Sequence, residues 1–418
     1  MISFHGSPAA EPVVLGEFQV KRSLLNRGFI LASAGYFFLY FSASAFYLFP
    51  LYLDTFHPSK SRVGLIMGIH SVTAIMVRPL FGRILDTRGG KVVAIVGVMI
   101  MIISMPGFYL LESAGIMAVL LRALNGIGWG VSTTALLAIC SDVAPLDRMA
   151  QSLGIIGVAG IVSQAAGPAV AEEIFRRHSF DAVFTLSLAM LVAALLCIIP
   201  IKEIQHGANQ SKNAAAKDAG AYPLLILLII AAMPTIHGAA RGTVLNFIAL
   251  YASSVGFNRV GPFFLAFSAA AIITRLGLGD ISDRVGRKRI IFPSAVLIGL
   301  NLFWIAELDS YWAFIASGFI AGLGQGLIFP ALSTYVIDFL GRKNKGLALG
   351  LYLSLFDVGM GLGSPVFGWI SDVSGYRLMY VVAGCLIILS TIVFGIKAPA
   401  IHTLEASHLG VNKADPAV

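Results

Sequence analysis

The chain has 418 residues, of which 57% are hydrophobic and only 12% are charged. Soluble globular proteins carry about 25% charged residues, so this composition excludes a water-soluble enzyme and predicts a membrane protein. The net charge of +8 does not indicate a nucleic-acid partner. Lys and Arg stand in short clusters between apolar segments, where they orient a chain in a bilayer.

The cysteine pattern indicates neither a disulfide framework nor a metal site. Cys140, Cys197 and Cys385 lie inside apolar segments and lack CxxC spacing, which argues against both. The sequence also has no P-loop, so ATP is not expected as an energy source. We expect no metal and no cofactor.

Hydropathy over a window of about 20 residues predicts an all-α membrane protein with twelve transmembrane helices. The first 20 residues contain Glu11 and Glu17 and no apolar core, so we expect no cleavable signal and insertion through the first span. The predicted spans are 28–53, 62–84, 92–111, 115–140, 149–172, 182–200, 224–252, 260–280, 290–306, 310–337, 346–370 and 378–397.

A polar stretch from Lys202 to Ala221 divides these spans into two groups of six. The even-numbered connections and the termini hold roughly three times as many Lys and Arg residues as the odd-numbered connections, and basic loops face the cytoplasm. We therefore predict a multi-pass protein of the plasma membrane, or of the inner membrane in a Gram-negative bacterium, with both termini cytoplasmic. The predicted units are an N-terminal segment at 1–27, six-helix bundles at 28–200 and 222–397, a cytoplasmic linker at 201–221 and a tail at 398–418.

The two groups of spans share an internal repeat. Segments 74–93 and 271–290 align without gaps, and the same shift aligns Pro168 with Pro365. Duplicated halves of this kind place a binding site at their interface near the bilayer midplane, where one half rocks against the other. The aligned segments share the pairs Arg78/Arg275, Gly82/Gly279, Asp86/Asp283, Gly89/Gly286 and Lys91/Lys288.

One loop motif occurs twice, once in each half. The loop after span two reads Gly82-Arg83-Ile84-Leu85-Asp86-Thr87-Arg88-Gly89-Gly90-Lys91. The loop after span eight reads Gly279-Asp280-Ile281-Ser282-Asp283-Arg284-Val285-Gly286-Arg287-Lys288, and span four contains Arg122-Ala123-Leu124-Asn125-Gly126-Ile127-Gly128. With these motifs the chain resembles the major facilitator superfamily, and within it the bacterial drug:proton antiporter-like and arabinose-efflux-permease-like exporters. The resemblance implies two pseudo-symmetric six-helix bundles that work by alternating access.

The duplicated loop motif suggests a gate. Asp86 and Asp283 lie at the ends of spans two and eight, where a negative side chain can meet the positive N-terminal end of a helix from the other half. Simple anchoring at the membrane edge is the alternative. The residues predicted to act in conformational gating are Gly82, Asp86, Arg88, Gly279, Asp283, Arg284, Gly286 and Arg287.

Charged residues inside spans are costly and usually mark function. Arg122 and Arg241 fall at comparable depth on opposite halves and are predicted to bracket one anionic group, since arginine matches carboxylate or phosphate in a bidentate way. Bonding to carbonyls and polar neighbours is the alternative. The predicted substrate-binding residues are Arg122, Arg241, His237, Asn125, Tyr40, Asn246 and Gln325.

Asp357 is the one carboxylate predicted near the middle of a span, and it is predicted to act in proton coupling together with Arg122 and His237. Burial and nearby charge can make such a group bind and release a proton. A fixed ion pair is the alternative for Asp357, and a hydrogen-bonded neutral imidazole is the alternative for His237.

We expect a transporter and not an enzyme. The favoured function is proton-coupled export of a small amphipathic or anionic organic molecule. Uptake of an organic anion with protons remains open, because span five matches the antiporter motif only at Gly154 and Gly167-Pro168, while Ser163, Ala171 and Glu172 stand where glycine is expected. A receptor or scaffold without transport is the third reading. The expected partners are a small-molecule substrate, protons and membrane lipids, and the expected state is a monomer.

Overall fold

The computed structural model describes residues 26–143, 149–202, 223–278, 285–341 and 345–399. Regular structure in these residues is helical throughout, as expected where a bilayer leaves each backbone group to be satisfied within its own helix. The helices are α1 (Arg27–Asp54), α2 (Lys60–Arg88), α3 (Gly90–Phe108), α4 (Ile116–Val143), α5 (Met149–Arg177), α6 (Phe180–Ile198), α7 (Leu224–Ser254), α8 (Gly261–Leu278), α9 (Arg287–Ala306) and α10 (Tyr311–Leu340). A last helical segment, Lys345–Lys397, comprises α11 and α12, which meet at Gly375.

Each of the twelve predicted spans corresponds to one of these helices, so the predicted all-α fold is confirmed. Gly375 has a φ of 78° and joins α11 directly to α12 without a loop. A short 3-10 turn at Phe46–Leu48 interrupts α1. The predicted linker at 201–221 lies outside the described residues apart from its first two positions, and the division into domains stays a prediction.

Local signals in the sequence set several helix ends. The Oδ1 of Asn26 accepts a hydrogen bond from the N–H of Phe29 at 2.9 Å, and the Oγ of Ser59 accepts one from the N–H of Arg62 at 3.2 Å, so both residues cap a helix N-terminus. Gly89 and Gly286, paired in the repeat, have φ values of 82° and 102°. Positive φ values favour glycine. The two equivalent loops therefore share a backbone conformation as well as a sequence motif.

The surface of the helical bundle is strongly apolar. Exposed side chains include Met76 at 72%, Leu276 at 75% and Trp312 at 78% relative exposure. On helices long enough to span a membrane, such surfaces face lipid. Lipid chains are as apolar as these side chains, so their exposure carries no hydrophobic cost. The chain is a multi-pass membrane protein.

The helices form two groups of six, α1 to α6 and α7 to α12, which meet along α2 with α11 and α5 with α8. We call the end of the bundle that holds the first and last described residues, Asn26 and Pro399, the terminal face. There the Nδ2 of Asn26 donates to the carbonyl of Val143 at 2.9 Å, and the Nζ of Lys288 donates to the carbonyl of Ala398 at 2.6 Å. The opposite end, which holds Asp54 and the start of α2, is the distal face.

Candidate functional site

Toward the distal face, α2 and α11 are in backbone contact. A Cβ atom built at Gly64 would overlap the carbonyl oxygen of Ser364, and one built at Gly68 would overlap the carbonyl oxygen of Gly361. Glycine at such positions lets two membrane helices approach closely. The two halves are therefore closed against each other at this end.

Two carboxylates add polar contacts to the distal closure. Glu172, at the end of α5, accepts hydrogen bonds from the N–H groups of Val260 and Gly261 at 2.5 and 2.8 Å. Asp372, at the end of α11, accepts bonds from the N–H groups of Lys60 and Ser61 at 2.5 and 2.8 Å. Each carboxylate thus caps the first turn of a helix in the other half, where the helix dipole favours negative charge.

We expect Glu172→Gln to open the distal face more than Asp372→Asn does. Both changes keep the side-chain shape but remove the charge that meets the helix N-terminus, an interaction of about 0.3–1 kcal/mol, or up to ~2 when partly buried. Glu172 is buried and Asp372 is exposed, so screening by water reduces the second effect. Spin-label distances between the distal ends of α5 and α8, and between those of α2 and α11, would report the two changes, and Glu173→Gln, next to Glu172 but paired with Arg177 of its own helix, is the matched control. Equal distances in all three variants would contradict a role in closure.

Toward the terminal face, four glycines lack packing partners. No atom of the described residues lies within 4 Å of a Cβ atom built at Gly82 on α2, Gly350 on α11, Gly154 on α5 or Gly277 on α8. The halves are thus closed at the distal face, and the described residues leave these four positions near the terminal face open.

The predicted gating residues lie in the open part or beyond the described chain. Gly82 faces open space, and Arg88 is exposed at the end of α2. Gly286 precedes Arg287, whose Nε lies 3.4 Å from the Oδ2 of Asp338 on α10 of the same half. The latch stays a prediction, since Gly279, Asp283, Arg284 and the side chain of Asp86 lie outside the described residues.

Arg122 on α4 is buried in the first half among aromatic rings. Its Cζ lies 5.4 Å from the ring centre of Phe46 and 6.0 Å from that of Phe49. It forms no hydrogen bond or ion pair with any described residue, and its Nε is buried without a partner among them. A buried cation held only by aromatic faces retains its capacity to bind an anion.

Arg241 on α7 reaches from the second half to the first. Its Nη2 donates to the Oε1 of Gln164 on α5 at 2.7 Å, and its Cζ lies 4.4 Å from the ring centre of Phe267. Tyr47 is next in the chain to the Phe46 that faces Arg122. It stacks on Phe264 of α8 with ring centres 5.5 Å apart, and Phe264 lies one turn from Phe267. The structure therefore brings Arg122 and Arg241 to a common region around Tyr47, and neither has a carboxylate partner among the described residues.

His237 and Gln325, both predicted to bind substrate, contact each other. The Nε2 of His237 donates to the Oε1 of Gln325 at 2.9 Å, while its Nδ1 has no partner among the described residues. The imidazole lies 5.2 Å from the ring centre of Phe356. These groups form a wall of the second half near Arg241, which lies one helical turn along α7 from His237.

The remaining predicted binding residues are held apart from this group. Asn246 donates to the Oγ of Ser364 at 2.7 Å, a bond between α7 and α11. Asn125 is 1% exposed and its Nδ2 lies 3.5 Å from the Oγ of Ser104 on α3, so it packs within the first half. Tyr40 packs against Tyr36 and Trp129, with ring centres 4.4 and 4.5 Å away.

Asp357 forms an ion pair with Arg78 across the two halves. Their side chains are 16% and 23% exposed, so the pair is largely withdrawn from water. The only carboxylate predicted near the middle of a span is therefore neutralised in this conformation by an arginine of the other half.

Sequence reasoning missed three of the groups that build this region. Arg78 appeared as a repeated residue but not as the partner of Asp357, and Gln164 was not considered as a partner of Arg241. Glu172 appeared only as a departure from a glycine motif, whereas it caps α8. The duplicated Arg78/Arg275 pair, set against a single carboxylate in α11, was the one signal that pointed to the ion pair.

Comparison with known protein families agrees with this architecture. A model of the Major Facilitator Superfamily matches residues 31–300 and 237–410. The chain belongs to the Major Facilitator Superfamily. It is thus a transporter of this superfamily and not an enzyme, and the resemblance carried by the loop motifs is confirmed.

Relatives within the superfamily include exporters. The chain is 23% identical over 389 residues to the Staphylopine export protein of Staphylococcus aureus (strain Mu50 / ATCC 700699), covering 86% of this chain and 94% of the relative. It is 22% identical over 363 residues to the Multidrug resistance protein MdtG of Enterobacter lignolyticus (strain SCF1), covering 83% and 86%. The inward open conformation of the xylose transporter XylE from E. coli has the same fold, with a TM-score of 0.72 at 14% identity over 91% of this chain and 98% of that one.

Proposed function

We propose that this superfamily member exports a small anionic or amphipathic organic molecule from the cytoplasm in exchange for protons, by alternating access. The observation that carries the proposal is the pair Arg122 and Arg241, which approach one region from opposite halves without a carboxylate partner among the described residues. An anion at this place would bind both halves, so that its presence favours the state in which they close around it. The exporter names of two relatives support the outward direction.

The proposed cycle starts from the conformation described above. With the terminal face toward the cytoplasm, the substrate enters between Gly82, Gly154, Gly277 and Gly350 and reaches Arg122 and Arg241. The halves then close at the terminal face and part at the distal face, which breaks the caps made by Glu172 and Asp372. Asp357 is the proposed proton carrier, because opening between α2 and α11 separates it from Arg78 and leaves a carboxylate that gains by binding a proton.

The test is counterflow in proteoliposomes with a panel that includes staphylopine, lipophilic cations and organic acids, with and without a pH gradient. Export by antiport requires that a proton gradient opposed to the substrate flux drives accumulation against the substrate gradient. Accumulation driven by protons moving in the same direction would instead identify uptake of an organic anion. A substrate that exchanges without any response to the gradient would remove proton coupling.

Arginine variants test the proposed anion site. Arg241→Gln is expected to weaken an anionic substrate by roughly tenfold or more, because it removes a charge-assisted hydrogen-bond donor worth about 1.5–3 kcal/mol. Arg241→Lys keeps the charge but loses the planar fork, so it should weaken binding less. Direct binding of one identified substrate to both variants, and to the corresponding Arg122 variants, provides the measurement. Full affinity in both glutamine variants would eliminate the site.

The proposed orientation is tested by cysteine labelling in a variant that lacks Cys140, Cys197 and Cys385. A cysteine at Asn209, in the predicted linker, should react only when the reagent reaches the cytoplasm. A cysteine at Ala114, between α3 and α4, should react from outside intact cells, because Lys and Arg concentrate in the connections of the opposite side. The reverse pattern would show that the terminal face is external.

A further inference from the structure

The internal repeat is broken at one place in the interface between the halves. Arg78 on α2 and Arg275 on α8 are equivalent in the repeat, and Arg78 is paired with Asp357 of the other half. The shift that aligns Pro168 with Pro365 aligns Asp357 with Gly160 on α5. Where one arginine faces a carboxylate, its counterpart faces a helix that has glycine at the equivalent position.

Arg275 lies directly against this glycine surface. A Cβ atom built at Gly157 would overlap the Nη1 of Arg275, so the guanidinium group reaches α5 of the other half. Arg275 is partly buried and forms no hydrogen bond or ion pair with any described residue. A cation withdrawn from water without a counter-charge is costly, and here the protein does not supply the counter-charge within the described residues.

Two tyrosine rings border the glycine surface that Arg275 contacts. A Cβ atom at Gly160, one turn from Gly157, would lie 3.4 Å from the ring of Tyr36 and 3.8 Å from that of Tyr40. A tyrosine hydroxyl can donate one hydrogen bond and an arginine fork several, so the two kinds of group together can bind one carboxylate.

We infer that Arg275, with the hydroxyl of Tyr40, binds a carboxylate group of the transported molecule. The Asp357 carboxylate on Arg78 shows what the equivalent arginine binds in the other half of the repeat. The inference rests on the proposed transport function and deepens it, because it assigns the substrate a second acidic group besides the one at Arg122 and Arg241.

Arg275 lies nearer the terminal face than the site at Arg241. Phe267, which packs on Arg241, and Arg275 lie on the same helix eight residues apart, a backbone rise of about 12 Å. The substrate class is therefore an elongated organic molecule with two acidic ends. One acidic end would bind at Arg122 and Arg241, and the other would bind at Arg275, nearer the terminal face.

Thermal unfolding of the purified full-length protein in detergent tests the carboxylate site with acetate as the probe. Acetate should stabilise the wild type in a saturable way, whereas acetamide and chloride at equal ionic strength should not, because a ligand that binds only the folded state stabilises it by mass action. In the Arg241→Gln background, where the first anion site is weakened, acetate should still stabilise the protein, and the added change Arg275→Gln should weaken that response by roughly tenfold or more. Stabilisation of the double variant equal to that of Arg241→Gln, or no preference for acetate over acetamide, would overturn the assignment.

A carboxylate supplied by the protein itself provides the matched variant. In the same Arg241→Gln background, Gly160→Asp introduces the missing counterpart of Asp357 and should abolish the remaining acetate response, whereas Gly160→Asn has the same shape without the charge and should retain it. Equal responses of these two variants would contradict the assignment. The acetate measurement reports binding and needs no transport. Its result therefore stays interpretable if counterflow shows no dependence on a proton gradient.

The ten-carbon dicarboxylate sebacate tests the second acidic group, since its extended length is comparable to the backbone rise of about 12 Å between Phe267 and Arg275. The wild type should bind sebacate roughly tenfold more tightly than the monoamide of sebacate, and Arg275→Gln should reduce the affinity for sebacate to that for the monoamide. Equal affinities in the wild type would contradict a substrate with two acidic ends.

Discussion

Asp357→Asn is expected to lower gradient-driven accumulation by roughly tenfold or more, while exchange of substrate without a gradient continues. The change leaves Arg78 without its counter-charge at a largely buried position, and breaking a buried pair by removing one partner costs about 3–5 kcal/mol. It also removes the group proposed to carry the proton. Arg78→Gln should destabilise the closed distal state in the same way, because it leaves the Asp357 carboxylate uncompensated.

The double variant separates the two contributions. Removing both charges together eliminates the unpaired ion, so thermal stability should return toward the wild-type value, but accumulation should stay low if Asp357 carries the proton. Asp338→Asn is the matched control, since the ion pair of Asp338 with Arg287 lies within one half. Wild-type accumulation in Asp357→Asn would exclude Asp357 from the coupling mechanism and leave the pair as a structural contact.

Gly64→Val is expected to prevent closure of the distal face and to reduce transport by roughly tenfold or more. A side chain at Gly64 would meet the backbone of Ser364 and Pro365, which cannot rotate away, and overpacking of this kind costs about 1–3 kcal/mol. The halves are expected to relieve the overlap by moving apart at the distal face. Spin-label distances between the distal ends of α2 and α11 should lengthen in this variant.

Gly82→Val is the control for the distance measurement, because it places the same side chain on the same helix where no described atom lies within 4 Å. Its distal distances should equal those of the wild type. If Gly64→Val kept the wild-type distances and transport rate, the backbone contact between α2 and α11 would not be a determinant of closure.

The fold follows from the sequence because the bilayer restricts the alternatives. An apolar segment of about 20 residues has to satisfy its backbone internally, so the position of each span could be predicted without knowledge of its neighbours. The repeat likewise predicted equivalent loops, and Gly89 and Gly286 have the same unusual backbone conformation. These properties depend on residues that are close together in the chain.

The candidate site was less predictable because it depends on the register between helices from different halves. Depth along a helix placed Arg122 and Arg241 at a common level, and the structure brings both to the region around Tyr47. Depth along a helix does not specify which way a side chain points. The side chain of Asn125, for example, faces Ser104 within its own half. The pairing of Asp357 with Arg78 required the contact of α11 with α2, which no local pattern encodes.

Departures from the family motif proved informative in span five. Ser163, which replaces an expected glycine, donates through its Oγ to the carbonyl of Phe37 at 2.9 Å and ties α5 to α1. Glu172 replaces another glycine and caps α8 of the other half. Each substitution exchanges a small side chain for a specific hydrogen bond, which explains how α5 keeps its place without the complete motif.

The direct junction of α11 and α12 at Gly375 makes α12 a suitable place for a fluorescent probe. With no loop between them to absorb movement, α12 is expected to follow any displacement of α11 as the distal face opens. Cys385 lies on α12 and is exposed, Cys197 is partly exposed and Cys140 is buried. In a Cys197→Ser variant, a polarity-sensitive dye on the Cys385 thiol would therefore report the turnover of the helix pair in real time, without an engineered cysteine.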